Sequence, residues 1–360
     1  MKFYLKQCFS AGALFSQCES SINSIQVSVP GSFYSYKAYL EALLEYNKGA
    51  KESWMEEAMW TVDDAGNFDS VPGQAPLNEG FALRKEIISE SKIFDILFTP
   101  KIEMFNQNRL LLPCDLSLKF FRQPSSFFLL SHANKQYRCR ILNGFLNLHT
   151  YKMSQRYQNQ VADSLKNGRL AKYPLLVSSV NQFLIPKGTT TVSQPMVKLG
   201  KQGIRIYVMF VENSVVNGDL KKNPFKFIPY DLSDAYLIIN GKQFPRTPLK
   251  LEFEYKDGKI AGGAYMRAYH ELARTTGVEG LNDGWGVGRM AYPKGFFILG
   301  TKTTDAFSDD CFAPSMQGGL SFNFTFKKPV PEALSCLYKI EYQNSVNIDA
   351  NGLVQMDYTT

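Results

Sequence analysis

Histidine is scarce in this chain of 360 residues: only His132, His149 and His270 are present, each isolated. None stands in HExxH or HxH spacing, so a zinc-type catalytic centre has no ligand set. Six cysteines (Cys8, Cys18, Cys114, Cys139, Cys311 and Cys336) are scattered, with no CxxC pair. This argues against a zinc ribbon or a regular disulfide framework and favours reduced thiols in an intracellular fold. No run of 18 apolar residues exists to span a membrane, and the first residues hold no uninterrupted apolar stretch of signal-peptide type. A GxSxG elbow, a P-loop and a GxGxxG after a strand are equally missing.

A few remaining clusters resemble chemistry without completing it. The glycine-rich stretch from Gly277 to Gly288 lacks the Lys-Ser/Thr pair that meets a nucleotide, and reads as a flexible loop. Glu56-Glu57 and Asp309-Asp310 are adjacent carboxylates; neighbours on a strand face opposite ways and make poor acid/base pairs. Lys221-Lys222 and Lys327-Lys328 sit beside Pro-containing turns and read as solvated, with contact to nucleic acid or a partner as the sharper alternative. The formal net charge of +7 is spread along the chain and leaves a face toward a polyanion open. No catalytic, cofactor-binding or metal-binding residue is therefore assigned, and an enzyme is not expected.

What is abundant is aromatic: 14% of the chain, with 27 Phe and 19 Tyr, within an apolar content of 44%. Such side chains suit pleated, half-buried surfaces and predict sheets. In the second half, residues 203–211 form a β-rich run, and Asn240-Gly241 predicts a type I′ hairpin. Residues 249–255 alternate and run into Asp257-Gly258, a second hairpin turn. Leu320, Phe322, Phe324 and Phe326 alternate with Ser321, Asn323 and Thr325, the period of a strand with one covered face. Residues 334–358 read as strand, Asn351-Gly352 turn, strand.

Helices are predicted over 36–46, 154–167 and 264–274, the last ended by Gly277. Further strands are expected in the first half at 25–29, 109–113, 114–121, 126–130 and from 137 to about 153. The result is an all-β reading with few helices, two β-sandwiches in tandem, divided near Tyr173-Pro174 into residues 1–172 and 173–360. The halves read as loose copies, and the first is short of opening strands.

Several segments, in order along the chain, carry a resemblance. They include Leu14-Phe-Ser-Gln17, Tyr36-Lys-Ala-Tyr-Leu-Glu-Ala-Leu-Leu44, Met104-Phe-Asn-Gln-Asn-Arg-Leu110 and Phe183-Leu-Ile-Pro-Lys-Gly188. Lys222-Asn-Pro-Phe-Lys-Phe227, Tyr292-Pro-Lys-Gly295 and the stretch from Ile340 to Tyr358 continue it. From about Leu14 onward the chain resembles the double jelly-roll major capsid (hexon-like) proteins of Polinton/Maverick elements and adintoviruses. The resemblance implies two eight-stranded rolls, homotrimers of pseudo-hexagonal outline and an icosahedral shell assembled inside a host cell. It also implies partners: further copies of the chain, penton and minor capsid proteins, and non-specific contact with packaged DNA. Similar family members carry more residues before the Leu14 match, which implies that early strands of the first roll are absent here. The competing reading is a jelly-roll binding module of the spike, penton or lectin kind, with Trp285 in its glycine-rich loop stacking on a sugar.

Overall fold

The computed structural model describes residues 4–5, 10–71, 76–131, 138–199, 203–279, 284–303 and 318–356. Cys8, His132, Asp309, Asp310 and Cys311 lie outside them.

Eight strands organise the second half: Ala171–Ile185, Thr191–Leu199, Arg205–Glu212, Leu232–Ile239, Lys242–Lys250, Leu299–Lys302, Gly318–Phe326 and Leu334–Ile348. Counted from first to eighth, they form one sheet in the order sixth, third, eighth, first and another in the order second, seventh, fourth, fifth. All pairings are antiparallel. Chain neighbours thus alternate between two facing sheets, except the fourth and fifth, which form a hairpin within one sheet; this is the wrapping of a jelly roll.

Sequence periodicity explains the packing. Leu320, Phe322, Phe324 and Phe326 are all buried, while Ser321, Asn323 and Thr325 between them are half-buried. Across the sandwich Phe322 meets Tyr338 at 4.8 Å between ring centroids, and Phe324 meets Phe210 edge-on at 5.2 Å. Fully burying one such ring contributes roughly 1.5–3 kcal/mol. Turn chemistry sets the hairpin registers: Asn240 and Gly241 have φ of 49° and 75°, and Asp257 and Gly258 have 51° and 73°. Both central residues at positive φ match the twist of the flanking strands.

Between the fifth and sixth strands lie the hairpin Glu252–Lys256 with Lys259–Ala264 and the helix Met266–Thr276, capped by Gly277 at φ +82°. The strand Ala171–Ile185 runs straight through Tyr173-Pro174, with Pro174 opposite Ser345. It forms the sheet's outer strand, where a missing N–H removes no ladder bond on the open side.

The first half is built differently. Phe15–Ile22 lies between Ile25–Gln26 and Leu116–Arg122, and Tyr4–Leu5 pairs with Leu129–Leu130. The expected strand over 25–29 forms only at Ile25–Gln26, and that over 126–130 is the helical turn Ser125–Phe128 followed by two strand residues. Residues 109–113 and 138–153 adopt no strand pairing. An extended segment becomes a strand only when another edge accepts its hydrogen bonds, and among the described residues none pairs with these two. The predicted helices form as Tyr34–Glu45, Gln155–Lys166 and Met266–Thr276.

One apolar core runs through both halves. Phe225 packs against Tyr39 at 4.7 Å, Tyr36 at 5.1 Å and Phe127 at 5.6 Å. Phe68 meets Phe296 at 5.0 Å beside Gly295, where φ is +138° and an added Cβ would sit 2.1 Å from the Phe68 ring. Only glycine allows that approach.

Candidate functional site: a buried charge network and two open surfaces

Lys37, Glu41 and Glu45 recur every fourth residue on the helix Tyr34–Glu45, so they share one stripe. That stripe lies over the sheet of the second half, where Lys339 and Glu341, two apart on their strand, point to the same side. Lys339 Nζ is 2.7 Å from Glu341 Oε1, 3.6 Å from Glu41 Oε1 and 3.9 Å from Glu45 Oε1. Lys37 Nζ lies 2.6 Å from Glu103 Oε1, and Arg205 lies 3.4 Å from Glu341 Oε2. Ser178 completes the set: its N–H donates to Glu103 and its hydroxyl to Glu41, both at 3.3 Å.

The side chains of Lys339 and Glu341 are each 2% exposed. Burial pulls the Lys339 ammonium toward its neutral form, but Glu341, Glu41 and Glu45 outweigh it and raise the pKa above the ordinary lysine value. Lys37 is raised in the same way, burial opposing it while Glu103 and Glu41 prevail. Glu45, at the helix end and 42% exposed, is raised to about 7, by burial first and by the neighbouring Glu41 second, with Lys339 pulling the other way.

Beside the network is a cavity of about 260 Å³ lined by Lys37, Glu41, Lys101, Glu103, Arg205 and Glu341 among others. Around it Lys37 faces Glu103, Arg205 and Lys339 face Glu341, and Lys101 donates to the Tyr46 hydroxyl. This arrangement clamps helix to sheet. Among the described residues no group of three His, Cys, Asp or Glu is placed to hold a metal. Sequence reasoning missed the network. Its signal was the spacing of Lys37, Glu41 and Glu45, with Lys339 and Glu341 set among Leu337, Tyr338, Ile340 and Tyr342 on their strand.

The residues singled out by sequence fall apart in space. His149 is exposed on the 138–153 segment, and His270 stands on the helix Met266–Thr276, 3.5 Å from Glu279. Trp285, the candidate for sugar stacking, is 5% exposed: its ring packs on Tyr269 and its carbonyl accepts from Lys51. It belongs to the core and offers no platform. Lys222 pairs with Glu212 and Glu332, Lys327 with Glu252 and Lys328 with Asp231, so these bases are tied into surface ion pairs. The described cysteines Cys18, Cys114, Cys139 and Cys336 are free thiols. Burial pushes Cys18 up to about 12, and no described residue forms a helix able to cross a membrane.

Among the described residues, two surfaces with several exposed apolar side chains stand out. Residues 140–152 are all exposed, and among them Ile141, Leu142, Phe145, Leu146, Leu148 and Tyr151 present large apolar side chains. The helix that follows, Gln155–Lys166, buries none of its residues. The helix Glu79–Ile88 exposes Leu83 and Ile87, and the extended run after it exposes Ile93 and Leu97, while Ile88, Phe94 and Ile96 share a small apolar cluster with Cys139.

Against known proteins, no family model matches this chain. It is 25% identical over 336 residues to an uncharacterised protein of Caenorhabditis elegans, covering 91% of this chain and 76% of that one. Its fold matches a chain of the Sputnik virophage structure with a TM-score of 0.59 at 11% identity, covering 99% of this chain and 76% of that one. It also matches the mavirus major capsid protein with a TM-score of 0.50 at 8% identity, covering 99% and 79%. The class defined by this fold is the all-β, double jelly-roll protein.

Proposed function

We propose that the chain is a structural subunit of an icosahedral viral-type shell, in which copies associate through their surfaces and no reaction is catalysed. The observation that carries this reading is the complete eight-stranded roll of the second half, joined through one core to a first half in a chain of double jelly-roll fold. Two rolls per subunit, divided near residue 173, would give a trimer six similar wedges, a shape suited to lattice packing. Closed symmetry repeats one interface three times. Further copies are then the first partners, penton and minor capsid proteins the next, and the place of work is the virion shell. The buried charge network fits a subunit that must hold its two halves in fixed relation.

Light scattering behind a sizing column tests the reading. One subunit has a mass of 40.7 kDa, and the expected species is three times that. A strict monomer at high concentration, with no lattice on electron-microscope grids, would count decisively against it.

A further inference from the structure

Residues 138–169 carry six bases, Arg138, Arg140, Lys152, Arg156, Lys166 and Arg169, against the single acid Asp163. The segment's own balance is strongly basic, and residues 140–152 of it are all exposed. The segment leaves the body at Cys139, whose carbonyl accepts from Arg122. Among the described residues, no backbone hydrogen bond ties 141–153 to any other part of the chain. An extended run of that length reaches about 40 Å. Gly144 N–H is met by the Asn143 side chain and the Met153 carbonyl by Gln158; the rest of its row of N–H and C=O groups, with apolar side chains between them, has the form of a strand lacking a neighbour.

The opposite character appears on the other open surface. Glu79, Leu83, Glu86, Ile87 and Glu90 fall on one exposed stripe of the helix Glu79–Ile88 and the turn after it. Beyond it, Ile93, Asp95 and Leu97 face outward, while Phe94, Ile96 and Phe98 between them are half-buried against the core. This is strand alternation in a segment with an open edge. Leu97 N–H donates to the Glu57 carbonyl at 3.0 Å, which brings the exposed Glu56 and Glu57 beside it. Of the bases here, Arg84 is buried against Asp63, Lys85 is half-buried and Lys92 is exposed, so acids prevail at the surface.

We propose that the basic, apolar segment 138–153 docks as an added strand on the acidic, apolar face formed by residues 79–97 of a second copy of this chain. The inference rests on the self-assembling role above and names the surfaces that carry it. Charge complementarity selects the occupant, because each surface bears the sign and the apolar content that the other lacks a partner for. Strand addition would satisfy the backbone groups of both segments, and side-chain alternation would set the register. The two patches differ, so the contact is head-to-tail and closes into a ring when its rotation permits.

Charge reversal in the full-length protein tests this. One variant carries Arg138→Glu, Arg140→Glu and Lys152→Glu; a second carries Glu86→Lys, Glu90→Lys and Asp95→Lys; a third combines all six. Each singly reversed variant is expected to fall from the wild-type oligomer to the 40.7 kDa monomer, and the combined variant to return to the oligomer. Recovery in the combined variant also excludes misfolding as the cause of the losses. Wild-type association should weaken as salt rises, since exposed charges are screened. In an equal mixture of isotopically light and heavy protein, carbodiimide cross-links between Lys152 and the 86–95 carboxylates should join light to heavy chains. Wild-type mass in either single variant, failure of the combined variant to recover, or cross-links confined to single chains would overturn the docking while leaving shell assembly standing. A monomeric wild type would instead overturn the assembly reading, and the docking with it.

Discussion

The strand Leu334–Ile348 and the stretch 141–153 are both extended and mix large apolar side chains with polar ones, yet they end in opposite situations. The first is paired with Ala171–Ile185 along its whole length. Its other edge is taken by Arg205–Glu212 and Val354–Met356. The second is paired on neither edge and is exposed from Ile141 to Lys152. Composition alone does not separate them. What separates them is whether the fold brings other edges alongside, since a strand draws its stability from cross-strand hydrogen bonds and packing. The same contrast divides the two halves, one a closed sandwich, the other a scaffold of helices and short strands leaning on it.

The sharpest way to probe that contrast is a pair of equal truncations. Phe324→Ala, inside the sandwich, should destabilise the protein by about 3–5 kcal/mol. Phe145→Ala, on the open segment and 80% exposed, should change the stability of the dissociated subunit by no more than about 0.5 kcal/mol. Denaturant titration of both would blur the comparison if the losses were similar.

The clamp between the halves comes next. Lys339→Met leaves Glu341 and Glu41 with less compensation in a buried site, and should cost about 3 kcal/mol or somewhat more. Hydrogen exchange should then speed up in the helix Tyr34–Glu45 ahead of the sandwich strands. Uniform loss across both halves would argue that the network is not what holds them together.

The smallest effect is a slope with pH. Glu45 has a folded pKa raised to about 7 from an ordinary 4.5. Between those values the folded chain holds more protons than the unfolded one, so stability falls as pH rises. The contribution is full below about 4.5 and gone above about 7. Glu45→Gln should flatten that part of the stability–pH curve, modestly because water reaches the side chain. An unchanged slope would place its origin in another group.

Much of the second roll was legible from residues. The alternation from Leu320 to Phe326 and the Asn240-Gly241 and Asp257-Gly258 turns are local signals, and local geometry settles them. The eight-strand wrapping was not readable in that way, because pairing orders such as the eighth strand between the first and third join residues more than a hundred positions apart. Trp285 shows the limit at the level of a site: its glycine-rich surroundings suggested exposure, yet the ring is packed on Tyr269. The charge network shows it again. Lys37, Glu41 and Glu45 resemble an ordinary solvated helix face until Lys339 and Glu341 come up beneath them.

The sequence by itself determined the all-β class, the hairpin turns, the positions of three helices and the lack of a recognisable catalytic motif, because periodicity, turn propensity and motif spacing act over a few residues. Tertiary structure alone decided which apolar segments became strands, which charges became a buried clamp and which surfaces stayed open. Those outcomes depend on what a distant part of the chain places alongside, and no local pattern carries that information.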